Sequence, residues 1–397
     1  MRTADVLVVG AGPAGCVAAS EAAAAGAGDV LLIERDRAIG SPVRCAEGVG
    51  SAGLREFLDP NGAPWVSRRI TRVIFIAPDD TQVQLAEGDV GYVLDRTRFE
   101  PLLAERAARS GATIRISTEA VGLERADGPG GGHWRVRLRG PGGEETVTAR
   151  VVIGADGVET MVGRWAGLET RVAARDMESC AQYVVGNIEF DPDAIYLHFG
   201  PGVAPGGYAW IFPKGVGVAN VGIGVVTLRG DGRTVRQYLD DYVARHFPHA
   251  TVTGLTVGGV ISGVTVKRTV TDGLLLAGDA AHMINPLSGG GIINAMKAGR
   301  LAGRHAARAI GEGDTSARNL QAYHDEWMKL LGDSHAMYYK LKEAINKYDD
   351  DFFNRLARTV NRIPLEKRTL GRVVSSALVH HPSLVPIAAQ LFVQEFV

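Results

Sequence analysis

The feature that most constrains this chain lies in its first thirty-five residues. Residues 5–9 form a short apolar run with strand character, and Gly10-Ala11-Gly12-Pro13-Ala14-Gly15 follows at once. An alanine-rich run over 16–25 predicts a helix that stops near Gly26 and Gly28. Residues 30–33 predict a second strand, ending at Glu34, nineteen residues beyond Gly15. Strand, GxGxxG turn, helix and a strand closing on an acid together describe a dinucleotide-binding βαβ unit. The glycines supply a tight turn, close backbone approach to a pyrophosphate and close helix packing. The helix N-terminus adds free N–H groups and partial positive charge. Gly10, Gly12, Ala14, Gly15, Glu34 and Arg35 are therefore the first candidate cofactor residues.

The rest of the 397-residue chain extends that opening. Residues 69–77 and 82–87 predict an antiparallel hairpin turning at 78–80, and 40–50 reads as a loop. A helix over 97–110 and a strand over 113–117 follow, and 149–154 returns to the core sheet. Alternating runs at 181–188, 209–213, 216–226 and 255–266 predict an antiparallel sheet with one helix, near 232–246. Residues 273–277 predict a last core strand, about 290–310 a helix, and the tail from about 315 amphipathic helices. The expected organisation is interleaved. Segments 1–68, 88–174 and 268–312 make a discontinuous cofactor domain, 69–87 and 175–267 an antiparallel-sheet substrate domain, and 313–397 a helical C-terminal region.

Composition excludes several classes. Lys plus Arg number 43 against 44 Asp plus Glu, so the chain lacks the positive excess a nucleic-acid binder needs. Hydrophobic residues at 46% exclude wholesale disorder. The cysteines, Cys16, Cys45 and Cys180, are odd in number and show no CxxC spacing, so neither a disulfide scaffold nor a metal site is expected from them. A cytoplasmic, soluble chain is expected, with peripheral contact at the inner face of a membrane left open. The longest uncharged stretch, 194–213, carries three prolines and four glycines and predicts no spanning helix. Glycine, 51 residues, is nearly twice its usual ~7% share. Without a fixed repeat, that surplus points to tight turns and close approaches, with 128–132 and 140–143 reading as simple flexible loops.

Two further motifs select the dinucleotide. Val152-Ile153-Gly154-Ala155-Asp156-Gly157 is a strand ending in an Asp-Gly turn. Leu275-Leu276-Ala277-Gly278-Asp279-Ala280-Ala281-His282 is a strand ending in Gly-Asp, followed by Pro286 and Gly289-Gly290-Gly291 leading into a helix. With GxGxxG, this set resembles the para-hydroxybenzoate-hydroxylase-like superfamily of FAD proteins. The resemblance implies an α/β, Rossmann-like FAD-binding domain with the interleaved α+β sheet domain beside it. It assigns Asp156 to the cofactor site, Asp279 to the ribityl chain, and the Gly291 and Ile292 backbone to the flavin carbonyls. Thr160 stands where the motif commonly has Ser, and His282 reads as structural. No second GxGxxG lies on a strand–turn–helix, so no separate nicotinamide domain is expected.

Three segments carry a narrower resemblance: Gly40-Ser41-Pro42-Val43-Arg44-Cys45-Ala46-Glu47-Gly48, Gly91-Tyr92-Val93-Leu94-Asp95-Arg96, and Tyr208-Ala209-Trp210-Ile211-Phe212-Pro213-Lys214-Gly215. The set is similar to the geranylgeranyl reductase family, most like its archaeal digeranylgeranylglycerophospholipid reductases, over residues 1 to about 310. By that resemblance Cys45, Ala46 and Gly48 line the FAD, and Arg96 and the Ala120 backbone contact its pyrophosphate or adenine side. Tyr208, Trp210, Phe212 and Pro213 then belong to a prenyl cavity beside the isoalloxazine. The implied reaction saturates isoprenoid double bonds. An unactivated alkene needs a proton as well as a hydride, and Tyr208 and Cys45 are the proton-delivery candidates. The expected partners are a prenylated lipid substrate and an external electron donor, ferredoxin or reduced nicotinamide.

Other activities compete. Prenyl-quinone, chlorophyll-precursor or geranylgeranyl diphosphate reduction belongs to the same family. An aromatic hydroxylase shares the FAD motifs, and a non-catalytic prenyl carrier shares a related fold. A halogenase is suggested by Tyr208-to-Pro213, but its lysine lies in the N-terminal part, and here the first lysine is Lys214. The apolar run at 384–397 reads as a terminal packing helix.

Overall fold

The computed structural model describes residues 2–86, 88–126 and 132–369. The expected flexible loop at 128–132, apart from Gly132, and the run at 384–397 lie outside the described residues. The chain divides into two compact units, each built from three separated segments.

The first unit comprises Met1–Val43, Arg96–Arg171 and Gly263–Ala336. Its sheet has the order Val270–Thr271, Leu274–Leu276, Gly143–Gly154, Arg2–Val9, Val30–Ile33 and Thr113–Arg115. Arg2–Val9 pairs in parallel with both neighbours, as βαβ connections require. Val30–Ile33 is buried at all four positions, which accounts for its uninterrupted apolar sequence. Glu119–Ala126 and His133–Gly140 add an antiparallel arm to the long strand Gly143–Gly154. Helix Ile292–Glu312 packs against helix Pro13–Ala24 through glycine. A Cβ on Gly299 would collide with the Ala14 carbonyl, and one on Gly303 with the Ala18 carbonyl. Part of the glycine surplus therefore serves helix contact.

The second unit comprises Arg44–Asp95, Val172–Ser262 and the described residues from Met337 to Thr369. Its seven-stranded sheet runs Thr251–Ile261, Met177–Gly186, Val218–Val225, Ala209–Gly215, Ala194–His198, Arg72–Ile76 and Gln82–Gln84. All pairs are antiparallel except Ala194–His198 with Arg72–Ile76. Helix Val235–His246 covers one face, packing Tyr238, Leu239, Tyr242 and Val243 onto Tyr183, Ile211, Val221 and Ile223. Thr234 caps it, in a capping box with Gln237.

The structure redraws three expectations. Residues 69–77 are not one strand: Val66–Ile70 belongs to a small sheet with Gly48–Gly50 and Gly91–Leu94, while Arg72–Ile76 joins the large one. The hairpin itself is present, with Ile74 opposite Gln84. Residues 44–68 and 88–95, assigned by sequence to the cofactor domain, fall in the second unit because that small sheet pairs them there. The C-terminal stretch forms no separate region among the described residues. Its residues to Ala336 join the first unit and those from Met337 the second.

Candidate functional site

In the first unit the three motifs converge as backbone geometry. Gly10 has a φ of +98°, a left-handed conformation reserved for glycine, and its N–H donates to the Ile33 carbonyl at 2.9 Å. A Cβ on Gly15 would strike the Gly10 carbonyl. Gly12 opens helix Pro13–Ala24 without a side-chain cap and with proline in the first turn. Its N-terminal N–H groups stay available to an anion. Ala14 lies against Gly278, where an added Cβ would sit 3.0 Å from the Ala14 methyl. Glu34 accepts from the Ala11 N–H at 2.7 Å and the Asp36 N–H at 2.9 Å. The acid thus fixes the glycine turn and keeps a second lone pair on each oxygen for hydroxyl donors. Arg35 pairs with Glu159 at 2.5 Å on the surface.

The Asp-Gly and Gly-Asp motifs are tied together by Thr160, whose buried hydroxyl donates to the Ala280 carbonyl at 2.9 Å. Asp156 Oδ2 accepts from the Val162 N–H at 2.9 Å, and its Oδ1 is buried with no hydrogen-bond partner. Burial raises this carboxyl. The Asp279 carboxylate has no hydrogen-bond partner among the described residues. It is partly open to solvent but densely walled, so burial raises its carboxyl while the Arg96 charge opposes the shift. Arg96 is held by Glu100 of its own helix. Gly291, next to Asp279, opens the long helix Ile292–Glu312, again without a side-chain cap. Two uncapped helix N-termini and an unpartnered aspartate are the donor and acceptor set an FAD requires: N–H groups for phosphate and carbonyl oxygens, a carboxylate for ribityl hydroxyls. Ala120 lies in strand Glu119–Ala126. His282 adopts a left-handed conformation and its Nε2 bonds the Thr170 carbonyl at 3.2 Å, a structural placement. Cys16, buried, donates to the Ala11 carbonyl.

The second unit assembles the remaining candidates. Cys45 Sγ accepts from the Glu47 N–H at 3.2 Å, and the Cys45 carbonyl accepts from Gln182 Nε2 at 3.1 Å. Gln182 Oε1 in turn accepts from the Trp210 indole at 2.9 Å. Asn220 Nδ2 donates to the Ala46 carbonyl at 3.3 Å and to Glu47 Oε2 at 2.9 Å. Lys214 Nζ donates to the same Glu47 oxygen at 2.6 Å and to the Leu94 carbonyl at 2.5 Å. The cysteine segment is therefore clamped onto strands Met177–Gly186, Ala209–Gly215 and Val218–Val225. Gly48 is glycine because the Phe212 ring occupies the space of a Cβ. Pro213 is buried beyond it.

Tyr208 precedes strand Ala209–Gly215, its ring 5.6 Å from Phe199 and 6.0 Å from Trp210. Burial first, then the neighbouring Glu178, Cys180 and Cys45, push its phenol well above the ordinary value. Glu178 is buried and its carboxyl is raised by desolvation, against the Ser262 hydroxyl and the Lys342 ammonium. Both Glu178 and Tyr208 therefore hold protons more firmly than exposed groups of their kind. Gly222 and Gly224 do not leave open backbone here: the Trp210 indole covers Gly222, and Cys180 Sγ approaches Gly224, whereas a Cβ on Gly215 would meet nothing within 4 Å. Sequence reading missed Glu178, Gln182 and Asn220. A polar side chain interrupting an otherwise apolar strand was the available signal.

The fold and the first unit's donor set define an FAD-binding oxidoreductase, and residues 3–194 match the FAD binding domain family. Residues 176–260 match the geranylgeranyl reductase catalytic domain. The chain is 42% identical over 386 residues to the digeranylgeranylglycerophospholipid reductase of Methanocella arvoryzae, covering 96% of this chain and 97% of that relative. It is likewise 42% identical over 373 residues to the relative of the same name from Methanosarcina acetivorans, covering 92% and 90%. Among solved structures, the geranylgeranyl bacteriochlorophyll reductase-like protein of Thermoplasma acidophilum superposes with a TM-score of 0.89 at 33% identity, covering 98% of this chain and 100% of that one. A flavin-dependent brominase, at 16% identity and a TM-score of 0.69 over 91% of this chain and 100% of that one, shares the fold alone. The chain belongs to the geranylgeranyl reductase family of FAD flavoproteins.

Proposed function

We propose that this chain is an FAD-dependent reductase that saturates the double bonds of geranylgeranyl chains on (di)geranylgeranylglycerol (phospho)lipids, in archaeal membrane-lipid synthesis. The observation that carries the reading is the clamped Cys45 segment beside the Tyr208–Trp210–Phe212 strand, in a chain colinear with relatives of that name. Bound and reduced, FAD would supply the hydride equivalent, which an alkene accepts at its more substituted carbon. The chain's own residues supply the proton for the other carbon, and solvent restores it afterwards. Cys45 and Tyr208 are the groups proposed to pass that proton, with Glu178, whose carboxyl burial raises, as the neighbouring acid. Gly10, Gly12, Ala14, Gly15, Glu34 and Arg35 would hold the adenosine and pyrophosphate side with Arg96 and Ala120. Asp279, Gly291 and Ile292 would hold the ribityl and flavin side with Asp156, and the family resemblance makes Cys45, Ala46 and Gly48 the further cofactor candidates. Trp210, Phe212 and Pro213 would line the path of the hydrocarbon tail.

The electron donor proposed is external, ferredoxin or reduced nicotinamide. Among the described residues no helix is long and apolar enough to cross a membrane. Peripheral contact at the inner face of a membrane is proposed as the route to a lipid substrate. Reduction of a chlorophyll precursor is the second reading, favoured by the Thermoplasma likeness, and changes only what the tail is attached to. Anaerobic turnover of the yellow protein with chemical reductant tests both. Geranylgeranyl ether lipid, geranylgeranyl diphosphate and geranylgeranylated chlorophyll precursor are supplied in parallel, and products are read by mass spectrometry. Stepwise gain of hydrogen pairs on the ether lipid supports the proposal. Saturation of the pigment tail alone favours the second reading, and no saturation of any tail overturns both.

A further inference from the structure

Three side chains that the reductase chemistry does not use converge in the second unit. His198 is the last residue of strand Ala194–His198, and His246 closes helix Val235–His246. Asp80 lies in the turn between strands Arg72–Ile76 and Gln82–Gln84. Each offers one ligand atom, an imidazole nitrogen or a carboxylate oxygen, and these atoms all lie within 4.8 Å of one another. The two imidazoles stand edge to face with centroids 5.4 Å apart, and His246 Nδ1 is 3.9 Å from Asp80 Oδ1.

The proton positions on His198 follow from its partner. Nε2 lies 2.9 Å from the Ala77 carbonyl, which can only accept, so Nε2 carries the hydrogen and Nδ1 the lone pair. That Nδ1 is buried with no hydrogen-bond partner, on a residue only 1% exposed. A buried unpartnered imidazole nitrogen is costly unless something fills it. An imidazole that donates one N–H to a backbone carbonyl and leaves its other nitrogen without a hydrogen-bond partner has the arrangement that metal-ligating histidines adopt. Tyr242 packs against both histidines, at 4.5 Å from His246 and 5.7 Å from His198, and so restrains the rings. Arg245 engages Asp80 only through Oδ2, at 2.8 Å, which leaves Oδ1 on the His246 side.

Two imidazoles with one carboxylate suit zinc, leaving a fourth position for water, whereas calcium and magnesium take oxygen ligands. We propose that Asp80, His198 and His246 form a zinc-binding site, separate from the reductase chemistry, that clips the hairpin turn to the end of a strand and the end of a helix. An ion held by the folded chain and not by the unfolded one stabilises it by mass action.

The test uses untagged FAD-loaded full-length protein, treated with chelator and then dialysed against low-micromolar zinc chloride. Metal content is measured by elemental analysis and stability by thermal unfolding. The expected result is one zinc per chain and an unfolding temperature several degrees higher than without zinc. Asp80→Asn and His246→Gln should each lose the ion and the zinc-dependent rise while keeping their FAD. His198→Gln is expected to do the same, but its burial makes misfolding an alternative cause, so the two less buried positions decide the outcome. No zinc retained by the unaltered protein, or equal zinc in the unaltered protein and both variants, overturns the site.

Discussion

Glu47 illustrates how single residues hold this protein's chemistry in place. It is 5% exposed, a burial a carboxylate tolerates only when paired, and its backbone is left-handed with a φ of 71°. Lys214, the first lysine in the chain, supplies that pair, and Asn220 completes it. Lys214→Met should therefore cost about 3 kcal/mol in urea unfolding, and adding Glu47→Gln should recover part of the loss. A single variant as stable as the parent would show that the pair contributes little. Cys45, clamped through Gln182 and Glu47, carries a different prediction. Cys45→Ser should slow alkene reduction or change the saturation pattern while FAD stays bound. Unchanged rate and products would remove Cys45 from the proposed proton delivery. The cysteine segment was readable as a motif because its residues are contiguous. Gln182 and Asn220 were not, because only strand register brings them to it.

At the scale of elements, the helices that follow the GxGxxG turn and the Gly-Asp motif, Pro13–Ala24 and Ile292–Glu312, pack through Gly299 and Gly303. Those glycines have no motif of their own, and their role became visible only with the helix contact. Helix Asp333–Ile345 supplies a titration prediction. Asn294 Nδ2 donates to His335 Nε2 at 3.2 Å, and His335 Nδ1 is buried without a partner. Burial lowers His335 to about 4, whereas an unfolded histidine titrates near ~6.5. Between those values the unfolded chain binds the extra proton, so this stabilisation is present above the window and lost as pH falls through it. The full loss is about 3 kcal/mol from this residue. His335→Phe should flatten the fall in unfolding free energy from pH ~6.5 to ~4 relative to the parent. Equal slopes for the two proteins would show that His335 is not held neutral. His198 and His246 titrate downward in both, so the difference isolates His335.

Across the whole molecule, FAD is expected to be part of the stability of the fold. A ligand that binds only the folded chain adds about 2.7 kcal/mol at 100 times its dissociation constant. Flavin-stripped protein should therefore unfold at a higher temperature once FAD is added. Asp279→Ala should lose most of that rise and emerge nearly colourless from gel filtration. Flavin retention equal to the parent would contradict the ribityl role given to Asp279. The near-balance of 43 basic against 44 acidic residues fits a substrate that is mostly hydrocarbon. The amino-acid sequence alone was enough for the cofactor motifs, because a left-handed glycine, an uncapped helix start and an acid at a strand end are set within a few residues of one another. It was not enough for the division of the chain. Strand Ala194–His198 pairs with Arg72–Ile76, 122 residues earlier, and the Cys45 segment follows its own small sheet into the second unit. Asp80, His198 and His246 meet for the same reason. Register between distant strands depends on which apolar faces bury together, and no local run of residues encodes that choice.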